Sequence, residues 1–245
     1  MYRFFIEPQQ FETENPVIRG PEFKHLSKVL RLGPGDIVYL LDGTGRMIKA
    51  RIELMGKEEA SLTRLEEFQS ERELPLKVTL VQGLAKGDKM DLIIQKATEL
   101  GIAEIIPMTC RRTVVRLEGE KAIERQKRWQ RVAMEAAKQC RRAIIPMVQT
   151  PQKFEDVLAA IPREAVCFMP WEEEHGQTFG QVLSTDRPEQ VYLLIGPEGG
   201  FESMEVEKAR QRGVVTVTLG PRILRTETAG LACLSIIMHR WGDLG

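Results

Sequence analysis

Apolar residues in the first seventy or so positions fall in short alternating runs. Tyr2–Ile6 (YRFFI), Ile37–Asp42 (IVYLLD), Gly45–Leu54 (GRMIKARIEL) and Glu59–Phe68 (EASLTRLEEF) read as strands. The clusters Gly33-Pro34-Gly35-Asp36 and Asp42-Gly43-Thr44-Gly45 supply the turns between them. One helix is predicted over Glu22–Leu30, behind Pro21, because proline suits a first helical turn. Short strands joined by tight turns predict a small β-barrel. The charged stretch Glu66–Glu73, followed by Pro75, reads as a linker.

From Leu76 the pattern changes to strands alternating with helices. Lys77–Leu84 (KVTLVQGL), Ala103–Thr109, Ala165–Pro170, Val191–Gly196 (VYLLIG) and Val214–Leu219 (VVTVTL) are strand-like, and the fourth is almost wholly apolar. Helices are predicted over Asp88–Leu100 with Gly101 as its C-cap, 120–141, Glu202–Arg212 and Glu227–Trp241. In the long helix Trp129, Val132, Ala133, Ala136, Ala137 and Cys140 recur at helical spacing. Most of its basic side chains fall off that face, free for solvent or a polyanion. The alternation predicts an α/β domain with a mostly parallel sheet.

Composition changes this picture little. The hydrophobic fraction of 42% and the charged fraction of 29% are those of a globular chain. No apolar run reaches a membrane span and the first residues carry no leader pattern, so a cytoplasmic protein with no membrane role is expected. Cys110, Cys140, Cys167 and Cys233 are scattered, without ligand spacing, which sets aside a metal or disulfide role.

Charge adds more. Lys and Arg balance Asp and Glu at 35 each, yet Pro107–Pro146 holds eleven basic residues against four acidic, an excess of +7. From Met147 onward nine basic residues face fourteen acidic, an excess of −5. A positive stripe in a neutral chain is the footprint of a polyanion site, or else a solvated helix face; charge alone leaves both open.

Ligands of open α/β sheets bind beyond the carboxyl ends of the strands, where two loops here are unusual. One is Gly196–Phe201, with three glycines in five positions; the other is Gly220–Thr228 (GPRILRTET). A single such loop could be a tight turn, whereas two after apolar strands point to a ligand. Neither has the spacing of a P-loop or a dinucleotide fingerprint. Apolar Ile223 and Leu224 beside Arg225 and Thr226 suit an aromatic base read by main-chain groups. His25, His175 and His239 lie in different regions, so hydrolase triads have no support.

Ile195–Phe201 (IGPEGGF) and Leu219–Ala229 (LGPRILRTETA) resemble the two signature loops of the SPOUT methyltransferases. Together with His25–Arg31, Lys86–Gly101 and Arg128–Arg131, they are similar to the ribosomal RNA small subunit methyltransferase E branch over nearly the whole chain. In QCRR at 139–142, Arg142 takes the family's arginine place and Arg141 is extra.

The resemblance implies a PUA-like β-barrel RNA-binding domain over 1–72 and a SPOUT α/β domain with a trefoil knot over 73–245. It implies a homodimer with S-adenosylmethionine as cofactor, methylating N3 of a uridine in 16S ribosomal RNA within the assembled small subunit. By the same resemblance Ile195, Gly196, Gly199, Gly200, Leu219, Gly220, Ile223, Leu224, Arg225 and Thr228 hold the cofactor. Arg225, Glu198 and Glu227 then lie nearest the reacting centre.

A protonated N3 is a poor nucleophile, so the site must promote proton loss and stabilise the anion. Arg225 is the candidate stabiliser; Glu198 is either a general base or a brace for its loop. Arg3, Arg31, Arg112, Arg128, Arg131 and Arg142 are the expected phosphate contacts, forming one continuous surface. The alternatives are a knotted methyltransferase acting on transfer RNA or a ribose 2′-hydroxyl, and an assembly factor that binds RNA without catalysis. The intact loops disfavour the last.

Overall fold

A computed structural model describes residues 2–70 and 75–245. The chain forms two compact units, residues 1–73 with 137–145, and residues 74–136 with 146–245. The 72/73 boundary expected from sequence falls within 71–74, outside the described residues.

The first unit contains β1 (Arg3–Phe5), α1 (Pro8–Phe11), β2 (Val17–Arg19), α2 (Gly20–Lys24), β3 (Ile37–Leu41), β4 (Arg46–Met55) and β5 (Glu59–Gln69). Its five-stranded sheet runs β1-β3-β4-β5-β2, with β1 parallel to β3 and the other pairs antiparallel. Two register shifts, at Lys49/Ala50 and Ile52/Leu54, curl the long β4–β5 ribbon, as bulges do. Inward side chains from alternate positions meet Phe4, Phe11, Ile18 and Leu26 in one core.

The helix expected over Glu22–Leu30 is α2 followed by a π-helical turn, His25–Val29. Residues 66–69, read as linker, are instead the end of β5, paired with β4 because Phe68 packs beside Tyr39. Residues 137–145 belong here through Ala143, buried against Leu41 and Met47, and through the Ile145 N–H donating to the Gly43 carbonyl at 3.0 Å.

The second unit contains β6 (Lys77–Gly83), α3 (Lys89–Glu99), β7 (Glu104–Thr109), most of α4 (Gly119–Cys140), β8 (Met147–Val148), β9 (Gln152–Lys153), α5 (Phe154–Ala160), β10 (Val166–Pro170), α6 (Phe179–Val182), β11 (Gln190–Ile195), α7 (Ser203–Gln211), β12 (Val215–Val217) and α8 (Thr226–Trp241). The sheet order is β12-β10-β11-β6-β7-β8, with β9 also on β7, and every pairing is parallel. Parallel sheets are covered on both faces, which is why β6 is buried along all but its first residue and β11 is nearly all apolar. Cys233, Leu234 and Ile237 of α8 are fully buried, on a helix that packs against α3, β6 and β11. Trp129, Ala133, Ala136 and Ala137 form the buried stripe expected of α4, while Lys127, Arg128 and Arg131 are exposed.

This order has one consequence for chemistry. The chain leaves β6 toward β7 on one side, and β11 lies on the other, so the gap beyond these two strand ends is a topological switch point. Because the strands are parallel, the loops after β6, β10, β11 and β12 all emerge along that edge. No described helix is long and apolar enough to cross a membrane. Among the described residues no three His, Cys, Asp or Glu cluster as metal ligands would. Burial pushes the thiols of Cys167 and Cys233 up to about 11 and about 12, so both are unreactive core residues.

Candidate active site

Gly83, the last residue of β6, sets the floor of the site. A Cβ there would lie 2.4 Å from the Pro197 nitrogen and 2.7 Å from the Gly196 carbonyl carbon, so only glycine lets the loop after β11 cross this strand end. The crossing is tied by a buried chain of hydrogen bonds. Gln82 Nε2 donates to Thr226 Oγ1 at 2.8 Å, and that hydroxyl donates to the Gly196 carbonyl at 2.6 Å. One polar thread thus joins β6, the first glycine loop and the start of α8.

The first loop is held at its far end as well. The Gly200 N–H donates to the Pro197 carbonyl at 3.0 Å, with Gly200 at φ +68°, a conformation that favours glycine. Glu202 and Glu205 form a capping box on α7. Glu205, only 3% exposed, also accepts the Arg111 N–H at 2.9 Å.

The second loop, after β12, lines a cleft of about 190 Å³ through Leu219, Gly220, Ile223 and Leu224. The opposite wall is the loop after β10, with Pro170, Trp171, Glu172 and His175. Ile223 is 88% exposed. Gly200 reaches this wall as well, since a Cβ on it would sit 2.5 Å from Glu172 Oε1. Of the other expected cofactor residues, Ile195 is buried in the sheet, which leaves its main chain as the part near the loops. Gly196 lies against Gly200, and Gly199 packs on Arg112. Arg225 and Thr228 sit exposed at the first turn of α8, where the Arg225 carbonyl accepts the Thr228 N–H at 2.9 Å. Among the described residues no hydrogen bond or ion pair engages the Arg225 guanidinium.

A charge cluster closes the first loop onto α3. Glu198 Oε1 accepts the Lys86 N–H at 3.0 Å and Lys89 Nζ at 3.1 Å. Burial pushes the Glu198 carboxyl up, but the N–H groups of Lys86 and Glu198 itself, with the Lys89 ammonium, outweigh it and leave it below its ordinary value. Lys89 is correspondingly held above its ordinary value, first by the Glu198 hydrogen bond. Glu227 Oε2 is buried 3.3 Å from the same ammonium, at ion-pair distance but outside hydrogen-bond geometry.

The expected phosphate contacts divide evenly between the units. In the second unit, Arg112 donates to the Gly199 carbonyl at 3.0 Å, so it supports the glycine loop directly. Arg128 was expected to be free, but it is paired with Asp91 and, at 3.4 Å, with Asp88 at the start of α3. The α4 face that carries it also faces the acidic first turn of α3. Arg131 is exposed, its Nε 3.4 Å from the Lys127 carbonyl.

In the first unit Arg3 Nη1 donates to the Arg141 carbonyl at 2.6 Å. Arg31 and Arg141 both adopt positive φ, 55° and 64°, which few non-glycine residues do. The Arg142 N–H closes the end of α4 on the Ala137 carbonyl at 3.0 Å.

Sequence reasoning missed Gly83, Gln82, Lys89 and the whole β10 loop. A glycine at the end of a buried strand was the available signal for the first. For the last it was an acidic stretch at the carboxyl end of a strand.

An apolar slot flanked by main-chain loops, with glycines where side chains would intrude, fits a nucleoside-like ligand. Comparison with known proteins points the same way. Residues 72–238 match a family described as an RNA methyltransferase domain, and residues 18–63 match an RNA methyltransferase PUA domain. The chain is 38% identical over 249 residues to ribosomal RNA small subunit methyltransferase E of Bacillus subtilis, covering 98% of this chain and 97% of that one. It is 33% identical to the Synechocystis protein of that name, covering 96% of this chain and 77% of the other. The crystal structure of that enzyme from Neisseria gonorrhoeae, bound to S-adenosyl methionine, superposes with a TM-score of 0.86 at 32% identity, each chain fully covered.

Proposed function

Because the chain belongs to the ribosomal RNA small subunit methyltransferase E family, we propose that it transfers a methyl group from S-adenosylmethionine to N3 of a uridine in 16S ribosomal RNA. The observation that carries this reading is the cleft at the carboxyl edge of the sheet, walled by the loops after β10 and β12, with Arg225 directly following its lining residue Leu224. S-adenosylmethionine, when bound, supplies an activated methyl group on a sulfonium. What the protein must add is placement of the base and help in removing the N3 proton.

Placement comes from main chain. The loops at 195–200 and 219–224 present backbone groups whose positions are fixed by the Gly83 crossing and the Gln82–Thr226–Gly196 thread. Such prepaid geometry supplies much of an enzyme's acceleration. Arg225, whose guanidinium has no partner among the described residues, is available to stabilise negative charge on O2 and O4 of a deprotonated uridine, which makes the N3 proton easier to lose. Glu198 acts as the brace of its loop: a carboxylate already accepting two donors and held below its ordinary value is a weak base.

The first unit and the basic residues serve the RNA. Arg31 and Arg142 in the first unit, and Arg131 in the second, supply phosphate contacts that position without reading sequence. Arg3, Arg128, Arg131 and Arg142 all carry partners in this fold that a phosphate would displace or share. Exposed apolar Ile223, in the cofactor loop, and Ile236, 39% exposed on α8, support assembly as a homodimer.

Calorimetry of the purified chain with S-adenosylmethionine, followed by transfer of labelled methyl to small subunits lacking the modification, tests the reading. Binding and incorporation into small-subunit RNA are expected. Incorporation into transfer RNA instead, or binding without transfer to any RNA, would overturn it.

A further inference from the structure

The loop after β10 contains three consecutive acids, Glu172, Glu173 and Glu174, and the structure separates their roles. Glu174 is consumed by the fold. Its Oε2 accepts the Thr216 hydroxyl at 2.6 Å and Arg210 Nη2 at 2.8 Å. The Arg210 guanidinium lies 5.3 Å over the Trp171 ring. The loop backbone is tied down too: the Trp171 N–H donates to the Val217 carbonyl at 3.1 Å, and the Thr218 N–H to the Gln177 carbonyl at 2.8 Å. This loop is therefore a rigid wall, fastened to β12 and to the loop that follows it.

Glu172 is different. It lines the cleft, and among the described residues no hydrogen bond or ion pair engages its carboxylate. Its Oε1 fills the space that a side chain at position 200 would need, 2.5 Å from where that Cβ would be. A rigid loop thus delivers an unpaired carboxylate between the cleft and a glycine loop that has left room for it.

The surroundings specify what it meets. The cleft walls, Pro170, Trp171, Leu219, Ile223 and Leu224, are apolar and suit a flat aromatic base. In a nucleoside the group joined to that base is the ribose, so a base in the slot places its sugar at the rim. A carboxylate has two acceptor oxygens and no donor, matching two adjacent hydroxyl donors. We propose that Glu172 is a cofactor-binding residue whose carboxylate accepts hydrogen bonds from the vicinal 2′- and 3′-hydroxyls of the S-adenosylmethionine ribose. This rests on the proposed reading of the cleft as the cofactor site.

The test is calorimetry with two ligands on the wild-type chain, Glu172→Ala, Glu172→Gln and Gly200→Ala. S-adenosylhomocysteine carries base, ribose and amino acid; 5′-methylthioadenosine keeps base and ribose and lacks the ammonium. Losing charged-group hydrogen bonds should weaken S-adenosylhomocysteine about 10- to 100-fold in Glu172→Ala. The factor should be the same for 5′-methylthioadenosine. Glu172→Gln, which retains one acceptor oxygen, should fall between. Gly200→Ala should reproduce the loss by displacing the carboxylate, with charge unchanged. Thermal midpoints of both Glu172 variants should equal wild type, since the carboxylate braces nothing.

Affinity within twofold of wild type in Glu172→Ala overturns the inference while the reading of the cleft survives. So does a penalty that vanishes with 5′-methylthioadenosine, which would place the carboxylate at the ammonium, and so does a lowered midpoint, which would make the acid structural. A wild-type chain that binds neither ligand removes the reading of the cleft and this inference with it.

Discussion

Replacing Gly83 by alanine adds one carbon to the chain, and its cost can be worked out beforehand. The new Cβ would stand 2.4 Å from the Pro197 nitrogen, about 1 Å short of the 3.4 Å at which ordinary contact begins. Both nearest atoms are backbone, so no rotamer change relieves the overlap; strand or loop must move. Gly83 does not have positive φ, so alanine brings no backbone strain of its own and the penalty is steric. Overpacking of this kind costs about 1–3 kcal/mol. If residues 196–197 retreat, the 2.6 Å bond from Thr226 to the Gly196 carbonyl lengthens, adding about 1 kcal/mol.

The larger effect should fall on function, because a shift of about 1 Å in positioning groups can cost on the order of 10²-fold. The assay pairs urea denaturation with calorimetric binding of S-adenosylhomocysteine. Gly213→Ala is the control: at φ +83° with open space around it, it should lose roughly 1–2 kcal/mol of stability and no affinity. A Gly83→Ala protein that binds within twofold of wild type would refute the claim that this crossing shapes the site. Equal affinity losses in both variants would show that binding merely follows stability.

Three further outcomes follow from named groups. Arg141 holds φ 64° at the C-terminal end of α4, where glycine is preferred, so Arg141→Gly should raise stability by about 1 kcal/mol in urea denaturation; an unchanged or lower value would mean that its side chain contributes to the fold. The Glu174 carboxyl is held at about 2, first by the Thr216 hydroxyl, then by the Gly176 N–H and Arg210. Depressed in the folded state, it contributes stability above the ordinary carboxylate range, which is lost as pH falls through about 2. Glu174→Gln should flatten the stability profile across that acid window, and parallel profiles would refute the assignment. Glu198→Gln keeps an acceptor for the Lys86 N–H, so as a brace it should retain methyl transfer within about tenfold, whereas loss of a general base costs about 10²–10⁴-fold, and the single-turnover rate separates the two.

How much of this could be read from the chain depended on whether the signal was local. The apolar runs of β6 and β11 and the helical spacing in α4 gave type and place within a few residues. The elements without a pattern were the short ones: α1, β2, α5, α6, β8 and β9 span two to seven residues, too few for either period to show. Residues 137–145 read as the end of a helix and a turn, and nothing nearby announces that Ala143 packs on Leu41 and Met47, about a hundred positions earlier.

The two glycine loops were legible because glycine and proline mark backbone need directly. Glu172 and Lys89 were not, since a charged residue looks the same in sequence whether it faces solvent, an ion pair or a ligand. Arg128 shows the reverse error: it counted toward a free positive stripe, yet Asp88 and Asp91, some forty positions away, are its partners.

The central claim is a methyl group on N3 of a uridine in small-subunit ribosomal RNA. Nucleoside mass spectrometry tests it most directly, on that RNA from a strain lacking this chain and from the same strain with the chain restored. N3-methyluridine should be absent from the first and present in the second, and it should remain absent when the restored chain carries Gly83→Ala and Arg225→Ala together. A deletion strain that keeps its N3-methyluridine, or that loses a ribose-methylated nucleoside instead, would contradict the account.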